Sequence, residues 1–330
     1  MVSPGVTLPQ FLIEQPQQSQ REFYKVLKRI AAASKIISHE ITRSALVNLS
    51  DLTGEVNVHG EAVKKLDQFT NSVLVQMMEE SRLVGSIASE EMEEVLRVPG
   101  DPSGGKYSVL LDPLDGYSNA DINGIVGTIF SIHPFQNAGD DQSFHQTFLR
   151  KGSEQLVAGY IMYGPSTVLV FSAGERVHGF TLDPNEDEYI YSHPDIRMPE
   201  RGSTYAINHG NRTHWSSSTQ KLVEHFSEQY ESTHWPYSQR WVGSLTADFH
   251  RILLKEDSIS IPRIKRDPRE NCGCFMNALL WLSSPGRQAG GRASTGRKPI
   301  LDIIPAQLHQ RVPLIIGSRD DVETAEGFYR

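Results

Sequence analysis

Leu110-Leu111-Asp112-Pro113-Leu114-Asp115-Gly116-Tyr117-Ser118-Asn119 sets two aspartates, a proline and a glycine directly behind an apolar run. Tyr107–Leu111 has the length and apolar content of a buried strand. A carboxylate pair without partners is poor structural material, because burying an unpaired charge is costly. Pro113 reads as stiffening a turn between the aspartates, and Gly116 as letting the backbone approach a ligand closely. A second strand-like run, Leu83–Ala88, leads into Ser89-Glu90-Glu91. Alone, Glu90-Glu91-Met92-Glu93-Glu94 would be a charged helix start. Strands ending side by side, however, would bring Glu90, Asp112 and Asp115 into one small volume. Carboxylates that close repel unless protons or cations neutralise them, and hard oxygen ligands suit Mg²⁺ or Mn²⁺. A helix or tight turn starting at Ser118-Asn119 would offer backbone N–H groups to a phosphate.

Outward from this stretch the chain reads as mixed α and β. Apolar residues at helical spacing predict a helix over 21–48 (Phe23, Val26, Leu27, Ile30, Ala33, Ile36, Ile37) and another over Gly60–Ser81. Gly127–Ile132 reads as a strand. Val157–Met162, Thr167–Ser172, Arg176–Thr181 and Glu188–Ser192, separated by turn residues, predict an antiparallel meander. A linker is expected at His193–Gly202. It is followed by a strand over Thr204–Asn208, helices over Ser218–Gln229 and Gly243–Lys255, and apolar runs at Ile300–Ile304 and Val312–Ile316. These features divide the chain into an N-terminal domain, 1–196, with most of the acidic residues singled out, and a C-terminal domain, 197–330.

The 330 residues carry a formal charge of −8, which argues against a nucleic-acid or anionic-membrane binder and suits a carboxylate-rich cation site. Cys272 and Cys274 are the only cysteines. A disulfide across one glycine would be strained, so free thiols in a reducing compartment are expected. With no basic and apolar leader and no run of about 20 apolar residues, a cytoplasmic protein is expected.

Asp112–Asn119 resembles the Asp-Pro-[Leu/Ile]-Asp-Gly-[Ser/Thr]-x-Asn signature of the lithium-sensitive phosphatase superfamily, which includes inositol monophosphatases. Further stretches resemble the class I fructose-1,6-bisphosphatase family: Asn57–Asp67, Val177–Pro184, Arg240–Arg251 and Leu301–Arg311. The resemblance covers nearly the whole chain. It implies an α/β fold with α-β-α-β-α layers and a homotetramer acting on a small phosphorylated metabolite. It also implies metal ligation by Glu61, Glu90, Asp112 and Asp115 with the Leu114 carbonyl, and a catalytic set of Asp67, Glu90 and Glu91. Asp67 and Glu91 would position or deprotonate the attacking water. Substrate-binding positions follow as Asp115, Gly116, Tyr117, Ser118, Asn208, Arg240, Trp241 and Leu245.

Departures from the family pattern bear on the substrate. Tyr117 stands where the family has serine, Asn211 and Trp241 where it has tyrosines, and Ile261 near a strand tyrosine. Over Arg269–Gly286 the family's phosphate-contacting arginine falls at Gly273, and its glutamate metal ligand at Asn277 or Ala278. Gln20-Arg21-Glu22-Phe23-Tyr24 replaces an AMP-binding stretch, although Lys106-Tyr107 matches a pair associated with that site. The expected function is a Mg²⁺-dependent phosphatase with an altered substrate site and no AMP control. The alternatives are different chemistry on a more apolar substrate, or a non-catalytic regulator.

Overall fold

Helical periodicity at the N-terminus becomes an α layer on one face of a large sheet. The computed structural model describes residues 5–14, 22–44, 46–47, 52–56, 62–98, 105–135, 148–174, 176–228, 236–255, 258–260 and 286–330. α1 (Leu8–Glu14) and α2 (Phe23–Arg43) bury Leu8, Phe11, Leu12, Val26, Leu27, Ile30, Ala33 and Ile37. Three- and four-residue spacing puts the α2 residues on one stripe. The helix ends at Arg43, short of the expected Asn48. β1 (Leu52–Val56) pairs antiparallel with β2 (Ala62–Lys64), so the helix expected from Gly60 starts at Lys65 as α3 (Lys65–Glu80). A strand partner for Ala62–Lys64 outweighs their helical period.

β3 (Val84–Ser89), β4 (Leu96–Arg97), β5 (Tyr107–Asp115), β6 (Val126–Pro134), β7 (Val157–Tyr163), β8 (Thr167–Ser172), β9 (Val177–Asp183) and β10 (Glu188–His193) form a sheet in the order β10-β9-β8-β7-β6-β5-β3-β4. β7 to β10 are the expected meander, each pair antiparallel, and β6 adds to it antiparallel, whereas β3 and β5 pair in parallel. β3, β5, β7 and β8 are buried almost throughout, because both faces of the sheet are covered. Edge strand β10 is partly covered by the N-terminal segment, with the Tyr191 N–H bonded to the Val6 carbonyl at 2.8 Å.

Beyond His193, β11 (Thr204–Ala206) ends before Asn208, which instead caps a 3₁₀ turn over His209–His214. α4 (Ser217–Ser227), β12 (Ser238–Gln239), α5 (Leu245–Leu254), β13 (Ser258–Ser260), β14 (Arg292–Ser294), β15 (Ile315–Gly317) and α6 (Arg319–Gly327) follow. The strands make a second sheet, β12-β11-β13-β15-β14. Each of them is two or three residues long, too short to show a period in the sequence.

Among the described residues, the three largest of four apolar clusters bind the layers. One joins α1, α2 and α3 to the large sheet, through residues such as Ile30, Leu74 and Phe171. A second fills the space between the sheets with Ile129, Tyr160, Phe249, Ile252 and Ile316, joining stretches before and after residue 197. The third packs α4 and α6 on the outer face of the small sheet, through Leu222, Phe226, Ile315 and Val322. The resulting order is the expected α-β-α-β-α, with α5 in the middle layer. No described helix is long and apolar enough to cross a membrane.

Candidate active site

β3 and β5 run side by side with Ser89 opposite Leu111, and the Glu90 N–H bonds the Leu111 carbonyl at 3.0 Å. Glu90 therefore emerges beside Asp112, as the two acidic strand ends suggested. The turn expected between the aspartates is absent. β5 continues through Asp115, and Asp112 and Asp115 face Ile129 and Gly127 of β6, so one extra residue is accommodated there. A bulge of this kind re-aims side chains without ending the strand. Pro113 sits within it, where a missing N–H disturbs the ladder least, and its carbonyl accepts the Thr128 hydroxyl at 2.8 Å.

Asp112 is 6% exposed. Burial raises its carboxyl well above the usual carboxylate range, and Glu90, Asp115 and Glu91 add to the rise. Such a group must hold a proton or share a cation. Leu114 is buried beside it. Asp67 is buried in the first turn of α3. Asn71, four residues on and on the same helix face, accepts the Ser89 hydroxyl at 2.7 Å, which directs that face toward the end of β3.

Asp115 is the hinge between two segments. Its Oδ2 accepts the Ser244 hydroxyl and the Thr246 N–H, both at 2.7 Å, and its Oδ1 accepts the Leu245 N–H at 3.2 Å. These donors open α5, whose N-terminal end favours negative charge. Gly116 has φ +77°, and a Cβ there would lie 2.5 Å from the Ser244 Cβ, so both conformation and proximity require glycine. A 3₁₀ turn over Tyr117–Ile122 follows. Tyr117 is half-buried and packs against the first core, and Ser118 is exposed.

Opposite lies the segment 238–248. Arg240 is exposed, its N–H bonded to the Tyr205 carbonyl at 2.9 Å, and Trp241 is 46% exposed. Asn208 turns its side-chain oxygen to the Gly210 N–H at 2.9 Å. Glu61, Ile261, Gly273 and Asn277 lie outside the described residues, as do both cysteines.

Among the described residues, no three Asp, Glu, His or Cys side chains converge as a finished metal site. Asp115 gives both oxygens to the start of α5, and Glu61 is not described. The donor chemistry nevertheless fits a divalent cation: hard oxygens beside a buried carboxyl that needs its charge compensated.

The family models described as the fructose-1,6-bisphosphatase N-terminal and C-terminal domains match residues 6–194 and 198–330. The chain belongs to the fructose-1,6-bisphosphatase family. Relatives include a class 1 fructose-1,6-bisphosphatase of Nitratidesulfovibrio vulgaris, 43% identical across 99% of this chain and 98% of that one. One from Maridesulfovibrio salexigens is 44% identical across 94% and 92%. The Leishmania major fructose-1,6-bisphosphatase in its holo form superposes with a TM-score of 0.91 at 30% identity, over 99% of each chain.

Within this fructose-1,6-bisphosphatase scaffold, several site-building residues escaped sequence reasoning. Ser244 caps α5 by accepting the Ala247 N–H while donating to Asp115. Asp248 is buried in the first turn of α5, its carboxyl raised to about 7 by burial, against the lowering effect of the Val242 N–H. His309 joins its ring Nε2 to the Met92 carbonyl at 3.0 Å, strapping the C-terminal stretch to the turn after Glu90 and Glu91. A helix-capping serine with an aspartate four residues on was a readable signal for the first two. Nothing local marks His309.

Proposed function

We propose that the chain is a Mg²⁺- or Mn²⁺-dependent phosphatase that hydrolyses a phosphate monoester of a sugar phosphate of the fructose 1,6-bisphosphate kind. The observation that carries this reading is buried Asp112 beside Glu90, with Asp115 one bulge away. Glu61, Glu90, Asp112, Asp115 and the Leu114 carbonyl would hold the cation. When bound, a divalent ion neutralises phosphoryl oxygens and makes a water acidic enough to attack phosphorus. Glu91 and Asp67 would orient that water and take its proton. Gly116, Tyr117 and Ser118 would receive the phosphate being removed. Asn208 and Arg240 would bind a distal phosphate, Arg240 through its planar fork of donors, with Trp241 and Leu245 lining the sugar.

AMP control is absent in this reading. Lys106, part of the pair associated with nucleotide binding, is held by the Glu22 carboxylate. The protein acts in the cytoplasm as a homotetramer of two-domain chains split near residue 197, with neither nucleic acid nor membrane as partner.

Phosphate release from fructose 1,6-bisphosphate, sedoheptulose 1,7-bisphosphate and inositol phosphates, with and without each metal, tests the reading. Metal-dependent release from a sugar bisphosphate is expected, and silence across the panel removes the proposal. A more apolar substrate is the second reading. It is favoured by Ile122, 77% exposed, and by Trp241 and Val242, 46% and 41% exposed. Their segments are joined by a bond from the Asn119 amide to the Val242 carbonyl at 3.3 Å.

A further inference from the structure

The segment Val242–Thr246 is a short stretch of backbone whose N–H groups are divided between two carboxylates. Leu245 and Thr246 donate to Asp115. Val242 donates to Asp248 Oδ1 at 3.0 Å, and the Gly243 N–H also points at the Asp248 carboxylate. Gly243 has φ +84°, and a Cβ there would touch the Trp241 ring at 3.4 Å, so the indole folds back over this turn. Asp248 is 6% exposed, whereas Trp241 and Val242 are 46% and 41% exposed. An exposed, left-handed turn has little packing to hold it, so polar groups behind it must fix its path. Asp248 supplies acceptors from beneath, through the rigid first turn of α5, and the Asn119 amide supplies a donor to the Val242 carbonyl from the side.

We propose that Asp248 is a positioning residue: its carboxylate fixes the turn 242–243 and thereby the placement of Trp241, which folds over that turn, beside the Asp115-bound start of α5. This role rests on the phosphatase reading for its effect on turnover, but not for its effect on the turn. Asp248 need not touch substrate. Its contribution is to keep the Trp241 wall of the site at a set distance from Asp115, a geometry on which substrate placement depends steeply.

The test uses the full chain and the near-isosteric variant Asp248→Asn. Asparagine keeps an oxygen for the Val242 N–H but turns an amide donor toward Gly243. Hydrogen–deuterium exchange at the Val242 and Gly243 amides should quicken about tenfold or more, while Leu245 and Thr246, held by Asp115, stay protected. KM for the sugar bisphosphate should rise about tenfold with kcat within about threefold, and the Mn²⁺-induced rise in Tm should persist. Unchanged exchange overturns the proposal. So does a loss of kcat and Tm with KM unchanged, which marks a merely structural residue. Should Asp248→Asn fail to fold, exchange in the wild-type chain decides. Val242 and Gly243 must exchange as slowly as Leu245 and Thr246 despite their exposure, and fast exchange there sinks the idea. If the wild-type chain releases no phosphate from any ester, the phosphatase reading fails, while amide exchange still tests the turn.

Discussion

The two sides of the site are built by opposite means. Asp112 and Asp115 lie on β5 and Glu90 directly follows β3, strands buried on both faces, and their positions follow from backbone ladders. Asn208, Arg240 and Trp241 stand on short, exposed segments held by a few hydrogen bonds to backbone, Asp248 and Asn119. The carboxylate side is therefore rigid and electrostatically costly without a cation. The opposite side is cheap to vary, and this is where Trp241 departs from the family's pattern.

Asp115→Asn tests the rigid side most severely. Loss of a charged oxygen where α5, β5 and the proposed cation meet should lower kcat by about a thousandfold. Circular dichroism should stay native, because the amide oxygen still accepts from α5. Wild-type turnover would contradict the metal assignment.

Arg240→Ala tests the adjustable wall. Removing a charged fork from a phosphate should raise KM about 10- to 100-fold with a smaller change in kcat. An equal fall in kcat with KM constant would place Arg240 on the chemical side instead.

The two sides should also differ in their response to pH and metal. Asp112 binds protons more tightly in the folded chain than in the unfolded one. Its contribution to metal-free stability is thus present below the ordinary carboxylate range and is lost as pH rises through the raised value. Cations compete with that proton, so the Tm gained on adding Mg²⁺ should grow from pH 5.5 to pH 8. A gain independent of pH, read by differential scanning fluorimetry, would separate the cation from Asp112.

Trp241→Tyr should have the smallest effect. A phenol in place of the indole offers a hydroxyl to phosphate, and KM should fall by only about two- to fivefold. A larger fall would show that Trp241, rather than the region around Gly273 and Asn277, limits phosphate affinity.

Much of the rigid side was legible because the short, mostly apolar run Tyr107–Leu111 has the length and composition of a buried strand, and Asp-Pro-Leu-Asp-Gly has no good structural use. The bulge at Pro113 was not legible, since a proline and a glycine around two aspartates fit a turn equally well. The start of α3 was misplaced because Ala62–Lys64 carry a helical period but find a partner in β1. β12, β13 and β14 lack any period of their own and exist only as partners of neighbouring strands.

The opening stretch by itself singled out Asp112 and Asp115 and pointed to the superfamily, because spacing along a strand is local information, and the further stretches Asn57–Asp67, Val177–Pro184, Arg240–Arg251 and Leu301–Arg311 narrowed it to the family and its layered architecture. Tertiary structure alone decided that Asp115 is tied to Ser244, Leu245 and Thr246, that Asp248 holds the turn at Val242 and Gly243, and that His309 reaches Met92. These contacts join residues up to 217 positions apart. No periodicity encodes them. They follow from which faces the packed layers bring together, and burial then demands a hydrogen-bond partner for each polar group left there.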